Sequence, residues 1–389
     1  MDNGTILTDL TFSVIVPVHN GGEDLPLCLD AIAAASQPAI ECIVVDDAST
    51  DGVAARYANR PNTRVIQLEK QQGPSIARNR GVAEATGDVV FFIDADVLVH
   101  PDTFETGINV LRSDPKIAAV FGSYDDQPGH GAFISQYRNL YHHWVHQLAL
   151  PNATTFWTGC GAVYRSIFTD IGGFERSIQR PSIEDIEFGS RLYTAGHQIR
   201  LEKTMQCQHL KEWSFWNMVA TDIFRRGIPW MTLLLSNRDV PNDLNINHSS
   251  RAATLLAGIL FLLIPFLALS GHALALLPGL AFVAASAGLS WFAVRPKINS
   301  QALILAAVVA PVVTYFLAPD PLGLAPLLII LLIVSTQLAF YQYVLKKRNA
   351  AFALAVVPMQ LVFFTGCAFS AGMGITLHLF YSIRERVFH

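Results

Sequence analysis

Residues 88–96 read DVVFFIDAD, an apolar run that ends in two aspartates one residue apart, Asp94 and Asp96. The run has the length and the β-branched and aromatic content of a strand that is buried on both faces, as in parallel sheets. Ligands bind such sheets beyond the carboxyl ends of the strands, so both carboxylates are expected at a binding edge. Their oxygens predict a site for Mg²⁺ or Mn²⁺ that bridges a diphosphate.

Two further acidic pairs flank this stretch. Asp46 and Asp47 follow the apolar run 40–45, and Glu184 and Asp185 stand at the expected start of a helix. At a strand end a carboxylate can accept hydrogen bonds from a base or a ribose, although a turn cap is the alternative. Asp185 would serve as a general base toward an attacking hydroxyl, and helix capping is the alternative for this pair.

Strand and helix patterns alternate through residues 10–125. Strands are predicted at residues 12–16, 40–45, 64–68 and 89–93, and helices at 25–35, 52–59 and 75–85. This order favours a doubly wound α/β sheet.

Two glycine-containing segments are candidates for ligand contacts. GPSIARNRG at residues 73–81 combines a helix start with the guanidinium of Arg78, an arrangement that favours anions, although a solvated basic helix face is the alternative. GCGAVYR at residues 159–165 suits a sugar or acceptor pocket at Gly159, and a plain glycine turn is the alternative.

The residues beyond 250 differ in kind from those before them. Only Asp320 and Glu385 are acidic there, and the apolar stretches have membrane-spanning length, about 20 residues; they are residues 252–270, 272–294, 301–318, 322–343 and 351–381. Basic residues near 295–297 and 346–348 fall on one side of alternate spans, which is the positive-inside pattern. Four to six passes are expected, and Arg384 and Arg386 favour a hairpin over a single tilted span for 351–381.

The other end of the chain and its cysteines point to the cytosol. Residues 1–10 lack a basic region followed by an apolar core, so no cleavable signal peptide is expected. The five cysteines have no metal-binding spacing, and neither disulfides nor structural zinc are expected.

Two segments are rich in aromatic residues, 133–150 and 211–235. Their composition suits a membrane interface, and packing against the sheet is the alternative. His142, His143 and His146 have helical spacing, but a hydrated helix face is favoured over a metal site for them.

The order of these motifs resembles the family 2 glycosyltransferases of GT-A fold. The resemblance covers residues 12 to about 230 and rests on VIVPVHN, DDASTDG, GPSIARNRG, the DAD at 94–96, TGCGAVYR with GGFE, and the ED at 184–185. It implies an inverting transfer from a nucleotide-sugar donor, with a UDP-sugar favoured. The tail is similar in layout to the tails of membrane-anchored members.

The resemblance also implies roles for particular residues. It implies donor binding by Pro17, Asp46, Asp47 and Asp94, metal binding by Asp94 and Asp96, and catalysis by Asp185 as the base with Glu184 beside it. Residue chemistry alone adds further candidates: Arg78 for donor binding, Arg225 and Arg226 for catalysis by neutralising the leaving diphosphate, and Gly159 and Trp230 for acceptor binding. Processive synthases of this family carry Q/R-x-x-R-W after the ED pair, whereas residues 221–230 read TDIFRRGIPW. This departure favours the addition of a single sugar.

The sequence thus predicts an integral membrane protein with a cytoplasmic catalytic domain, in the inner membrane if the source is bacterial. The expected divisions are a GT-A catalytic domain at 1–210, amphipathic interface helices at 211–250 and a transmembrane helical domain at 251–389. The expected reaction moves one sugar to a membrane lipid, either a polyprenyl phosphate or a lipid hydroxyl, with no nucleic-acid partner. The alternatives are a processive polysaccharide synthase and a non-catalytic nucleotide-binding scaffold.

Overall fold

A computed structural model describes residues 10–237, 244–294 and 301–388. The chain divides into two compact units. The first contains residues 1–130 and 145–211, and the second contains residues 131–144 and 212–389.

The first unit is built on a nine-stranded mixed sheet. Its strands are β1 (Phe12–Val18), β2 (Glu41–Asp46), β3 (Thr63–Gln67), β4 (Val89–Ile93), β5 (Val97–Val99), β6 (Ile117–Tyr124), β7 (Asn152–Ala153), β8 (Cys160–Tyr164) and β9 (Gln198–His209). Their order is β3-β2-β1-β4-β8-β6-β9-β5, and β7 pairs with β9. The pairs within β3-β2-β1-β4 are parallel, and β8 runs antiparallel to both β4 and β6.

The α/β class and the first four strands are therefore as predicted. The parallel pairing of β1, β2, β3 and β4 brings their carboxyl ends to one edge, as the sequence indicates. The short helix expected at 52–59 is a 3₁₀ helix, Ala54–Tyr57. The remainder of the sheet is mixed, because β8 is inserted antiparallel between β4 and β6.

Alternation along β4 supplies the core on both faces of this sheet. Phe91 packs against Phe12 and Phe104, with ring centroids 5.1 and 5.0 Å away. The next residue, Phe92, points to the opposite face and packs against Phe168 and Phe174 at 5.6 and 5.2 Å. All six rings are buried, so the strand that ends at the aspartate pair is held from both sides.

Fifteen α-helices lie in the described residues. They are α1 (Asp24–Ala33), α2 (Pro74–Glu84), α3 (Thr103–Ser113), α4 (Phe133–Leu148), α5 (Arg165–Asp170), α6 (Glu184–Thr194), α7 (Phe215–Ala220), α8 (Ile228–Asn237), α9 (His248–Leu269), α10 (Leu277–Gly288), α11 (Ser290–Ala293), α12 (Gln301–Leu317), α13 (Ala325–Thr336), α14 (Leu338–Lys347) and α15 (Ala350–Phe388). A π-helical segment, Thr221–Gly227, joins α7 to α8.

Small residues allow close packing between helices in the second unit. A Cβ at Gly227 would overlap the side chain of Ser370, and a Cβ at Gly374 would lie 2.7 Å from the Cβ of Met231. A Cβ at Gly366 would lie 3.1 Å from Ile223. The π-helical segment and α8 therefore pack along one face of α15, as small residues allow.

Three polar side chains in the first turns of α4 have partners within the second unit. Gln136 accepts a hydrogen bond from the Nε of Arg348 at 2.7 Å, and Tyr137 accepts one from Gln360 at 3.0 Å. Arg138 forms an ion pair with Asp222, the second residue of the π-helical segment. Packing is thus the role found here for this aromatic segment, in which Tyr137 and Tyr141 are buried.

Two helices in the described residues are long and apolar enough to cross a bilayer: α9 and residues 350–380 of α15. A third span results if α13 and α14, which meet at a 68° bend, are taken as one. The expected span 272–294 is instead divided between a 3₁₀ turn (Ala273–Leu276), α10 and α11. The number of four to six passes remains a prediction. Arg295 and Lys297, on which the positive-inside pattern partly depends, lie outside the described residues.

Two sequence predictions are wrong. The hairpin favoured for 351–381 is absent, because α15 is one continuous helix of 39 residues with Pro358 inside it. His143 and His146 do not lie on a hydrated helix face, since both are buried. His143 stacks on Tyr343, and the Nδ1 of His146 lies 3.0 Å from the carbonyl oxygen of Gly122.

Candidate active site

The first acidic pair is bound by backbone amides. Asp46, the last residue of β2, accepts a hydrogen bond from the backbone N–H of Ser49 at 2.8 Å. Asp47 accepts from the backbone N–H groups of Gln72 at 2.7 Å and Gly73 at 2.8 Å. Both carboxylates are buried, so they hold the loops at this edge of the sheet in a fixed conformation.

Gly73 is required for that arrangement. Its φ of +91° is unfavourable for other residues, and a Cβ there would overlap the carbonyl oxygen of Gln179. Pro17, also predicted to contact the donor, pairs with Val45 in the β1–β2 ladder and is half-buried one residue before the strand ends. The residues predicted to bind the donor's nucleoside thus lie together at the ends of β1 and β2.

The second acidic pair follows β4 directly. The N–H of Asp94 donates to the carbonyl oxygen of Gly159 at 3.4 Å, and the carbonyl oxygen of Asp96 accepts from the N–H of Leu210 at 2.9 Å. The backbone of the pair is therefore held between the start of β8 and the end of β9. Gly159 itself has no space for a side chain, because a Cβ would overlap the ring of Trp157.

A histidine that the sequence reasoning missed lies beside Asp96. The Nε2 of His209 is 3.6 Å from the Oδ2 of Asp96, and its ring stacks on Tyr124 with centroids 4.3 Å apart. Burial would raise the pKa of Asp96, but the hydrogen bond and charge of His209, together with Lys211, lower this pKa to about 2. Asp96 is therefore ionised at neutral pH.

The third acidic pair begins α6, as predicted. Glu184 is buried, and its Oε2 accepts from the N–H of Ser182 at 2.8 Å. Asp185 is half-buried; its Oδ1 accepts from the N–H of Ile186 at 2.8 Å, and its Oδ2 lies 3.4 Å from the N–H of Thr158. Thr158 precedes Gly159, so the side chain of Asp185 is directed toward the segment that also holds Asp94.

Arg78 joins the second pair to the third. Its Nη2 donates to Asp94 Oδ1 at 2.7 Å, and its Nη1 donates to Glu184 Oε1 at 3.0 Å. The guanidinium also lies over the ring of Phe174, 5.8 Å from its centroid. Burial would lower the pKa of Arg78, but Asp94, Glu184 and Asp185 raise it, so the side chain remains cationic.

Two residues predicted to act in catalysis, Arg225 and Arg226, and one predicted to contact the acceptor, Trp230, belong to the second unit. Arg225 and Arg226 lie in the π-helical segment and are exposed, and Trp230 is half-buried in α8. Trp216 and Phe224 are also largely exposed on this stretch, at 76% and 63%. Exposed aromatic and cationic side chains together are typical of segments that lie at a membrane interface.

Asp94 and Asp96 are the residues suited to hold a divalent cation. No cluster of three or more His, Cys, Asp or Glu side chains positioned to hold a metal occurs within residues 10–237, 244–294 and 301–388. Mg²⁺ is usually held by one or two carboxylates and completes its shell with water and substrate phosphates. The two ionisable carboxylates at the end of β4 fit that mode of binding.

Part of the chain resembles known glycosyltransferases. Residues 13–172 match the family model described as Glycosyl transferase family 2. The "Uncharacterized glycosyltransferase YibD" of Escherichia coli (strain K12) is 39% identical over 106 residues, which are 26% of this chain and 30% of that protein. "Glycosyltransferase AglE" of Haloferax volcanii is 32% identical over 105 residues, 25% of this chain and 34% of the relative.

The fold also has a solved counterpart. The structure "Mannosyltransferase PcManGT from Pyrobaculum calidifontis in complex with GDP-Man and Mn2+" aligns over 93% of this chain and 87% of the solved chain. The TM-score is 0.51 and the sequence identity is 18%. At that identity the likeness concerns the fold alone. The matched region spans only about a third of the length of each curated relative. Together, the family match and these relatives support a glycosyltransferase with a GT-A-like domain, in which residues 13–172 resemble the Glycosyl transferase family 2 model.

Proposed function

We propose that the protein is a membrane-attached, inverting glycosyltransferase that moves one sugar from a nucleotide-sugar donor to a membrane lipid. The observation that carries this proposal is the convergence of Asp94, Asp96, Glu184 and Asp185 at one edge of the sheet, linked through Arg78. A carboxylate pair after a strand and a half-buried carboxylate at a helix start are the two parts that a displacement at an anomeric carbon requires: charge control and a base.

The donor is proposed to bind across the ends of β1, β2 and β4. The loops of Asp46 and Asp47 would hold its nucleoside, and a UDP-sugar remains the favoured donor. Asp94 and Asp96 would hold Mg²⁺ or Mn²⁺, which when bound neutralises charge on the departing nucleoside diphosphate. The similarly folded Pyrobaculum mannosyltransferase was solved with GDP-Man and Mn²⁺, which supports a donor and a cation of these classes.

The proton transfer falls to Asp185. An acceptor oxygen attacks the anomeric carbon while the bond from that carbon to the diphosphate oxygen breaks, and the electron pair leaves with the nucleoside diphosphate. A hydroxyl acceptor gives its proton to the carboxylate of Asp185. A polyprenyl phosphate acceptor is already anionic and needs little help from a base, so an Asp185→Asn variant distinguishes the two acceptors by the size of its loss.

A lipid acceptor is proposed from the character of the second unit. Helix α9 exposes a run of large apolar side chains, among them Leu255, Leu262, Phe266 and Leu269, which is the surface expected of a helix in lipid. Arg225 and Arg226 would lie at headgroup level, where they could also neutralise a phosphate, and Trp230 and Gly159 remain the proposed acceptor contacts.

The test is donor turnover by the full chain in nanodiscs. UDP-, GDP- and dTDP-sugars are offered with Mg²⁺ or Mn²⁺ and a native lipid extract, and an Asp96→Ala variant serves as the control. Metal-dependent release of nucleoside diphosphate, with a lipid that gains the mass of one sugar, supports the proposal. A polymeric product indicates a processive synthase instead, and nucleotide binding without turnover indicates a non-catalytic scaffold.

A further inference from the structure

The sequence assigns Arg78 to the donor, yet its contacts in the structure are with the protein. The side chain of Arg78 is only 5% exposed. Two of its nitrogens are bonded to carboxylates from different segments, 16 and 106 positions away along the chain. The Nε of Arg78 is buried without a hydrogen-bond partner. The two ion pairs and the contact with the ring of Phe174 hold the side chain in place.

The charges at this edge require such a residue. Asp94, Asp96, Glu184 and Asp185 bring four acidic groups to a small region, and like charges at short range oppose one another. Arg78 places one permanent positive charge between the second pair and the third. Its planar fork can bond two carboxylates at once, which an ammonium group does less well.

The two hydrogen bonds from Arg78 also fix the orientation of the carboxylates that accept them. With Oδ1 of Asp94 on the Nη2 of Arg78, the second oxygen of that carboxylate is the one left for another ligand. With Glu184 bound between Arg78 and the N–H of Ser182, the first turn of α6 is fixed, and Asp185 is its next residue. The same guanidinium therefore orients one residue proposed to hold the cation and the neighbour of the proposed base.

We infer that Arg78 is a positioning residue that fixes Asp94 and Glu184 relative to each other, so that the cation-binding carboxylates and the base act as one preorganised unit. This inference rests on the proposed function, because it deepens the roles given there to Asp94 and Asp185. Residues that orient metal-binding carboxylates commonly change metal affinity or activity by about 10- to 100-fold when they are removed.

The same helix offers a matched control. Arg80 lies two residues further along α2, is 50% exposed and pairs with Glu84 at 2.7 Å. An Arg80→Gln variant also removes one positive charge from this helix, but it leaves the hydrogen bonds of Asp94 and Glu184 unchanged. Effects of net charge or of helix stability appear in both variants, whereas effects of positioning appear only at Arg78.

The experiment uses the full chain in nanodiscs and four variants: R78Q, R78K, E184Q and the double variant R78Q/E184Q, with R80Q as the control. Three quantities are measured: the thermal midpoint, the Mn²⁺ concentration that half-saturates UDP binding, and the kcat and donor KM of turnover. R78Q is expected to raise the Mn²⁺ half-saturation by about 10-fold or more and to lower kcat. R80Q is expected to change both by less than about twofold.

Coupling is read from the double variant. If Arg78 acts through Glu184, R78Q/E184Q costs less than the product of the two single effects on kcat. R78K, which retains charge but loses the fork, is expected to fall between wild type and R78Q. If R78Q does not fold, R78K and E184Q carry the same comparison.

Three results overturn the inference. One is a folded R78Q with unchanged Mn²⁺ half-saturation and kcat, and another is a rise in donor KM alone, which returns Arg78 to the donor. The third is full independence of R78Q and E184Q. Because UDP binding with Mn²⁺ is read without turnover, a wild type that binds but transfers no sugar refutes the proposed function while the positioning role is still decided.

Discussion

The two edges of the sheet in the first unit both carry acidic residues, but they bind them differently. At the amino ends of the strands, Glu41 accepts from the hydroxyl of Ser13 and from the N–H and hydroxyl of Thr86, all within 2.8 Å. Asp88 likewise accepts from the N–H and hydroxyl of Thr11, at 3.0 and 2.7 Å. Neutral groups from adjoining strands and loops supply these hydrogen bonds, so these carboxylates serve to join neighbouring strands.

The carboxyl edge is not uniform: Asp46 and Asp47 after β2 are bound by backbone amides, whereas the two carboxylates after β4 have buried cationic or ionisable side chains as partners. Asp94 is paired with Arg78 and Asp96 with His209, and both partners are almost completely buried. Position at a strand end therefore does not distinguish a structural carboxylate from a functional one. The distinction lies in buried cationic or ionisable partners, because electrostatic interactions are strongest where water is excluded.

Substitution of Asp96 is the most direct test of the difference between the two edges of the sheet. An Asp96→Asn variant keeps the shape but removes the charge, and transfer is expected to fall by about 100-fold or more. The thermal midpoint should also fall, because the pKa of Asp96 is lowered in the folded state and the ionised carboxylate therefore stabilises the fold at neutral pH, so turnover is compared per folded molecule. Both quantities are measured on the same nanodisc preparation, and near-normal turnover would show that the carboxyl edge does not perform the chemistry.

A second effect is expected at Gly73, which connects the first acidic pair to the backbone. Gly73→Ala puts a side chain at φ +91° and against Gln179, and it should lower the free energy of unfolding by about 3 kcal/mol or more. Donor affinity should fall with it, because the Gly73 N–H binds Asp47.

Gly196→Ala is the matched control for that variant. Gly196 also has a positive φ, +88°, but a Cβ there meets nothing within 4 Å. Its cost should be only about 1 kcal/mol, with donor affinity unchanged. Thermal unfolding and titration with UDP measure the two effects, and equal losses in the two variants would refute a special role for the close approach at Gly73.

At the amino edge the expected effect is on stability alone. Glu41→Ala leaves the hydroxyl of the buried Ser13 without its acceptor and should cost about 2 kcal/mol of unfolding free energy. Turnover per folded molecule should stay within about twofold of wild type. A large loss of kcat in well-folded protein would contradict the division between the two edges.

The smallest expected effect is on pH dependence. Burial would raise the pKa of Glu41, but hydrogen bonds from Thr86 and Ser13 lower it below its ordinary value of 4.5. A lowered pKa contributes stability that is present above pH 4.5 and is lost as the pH falls through the folded-state value. Glu41→Gln should therefore flatten the decline of the thermal midpoint below pH 4.5, while leaving its shape above pH 6 unchanged.

The sequence predicted what depends on local pattern. The strand 89–93 and the start of a helix at Glu184 agree with the structure, because periodicity and charge at a helix start are local signals. The antiparallel insertion of β8 depends on pairing between distant segments, which periodicity does not encode. The continuity of α15 was not predicted, because the arginines at its end favour a cytoplasmic terminus and hence a hairpin, and Pro358 does not break the helix.

The candidate site was predicted as residue types but not as contacts. The acidic pairs could be recognised in the sequence, because a carboxylate directly after an apolar run is an unusual combination of residues. His209 had a weaker signal, since it ends the long strand β9 and no neighbouring motif marks it. The link from Arg78 to Glu184 could not be read at all, because two residues 106 positions apart leave no local trace of their contact.

That separation has a consequence for how the chain is made. A ribosome adds roughly 5–20 residues per second, so Arg78 is synthesised about 5–20 s before Glu184. During that interval the guanidinium lacks the partner that completes its burial, and removing a charge from water without its partner is costly. Strands β1 to β4 can pair early, whereas the acidic edge should close only after α6 has emerged. Ribosome-bound chains that stop before residue 184 should therefore leave α2 accessible to proteases, and chains that extend well past it should protect α2.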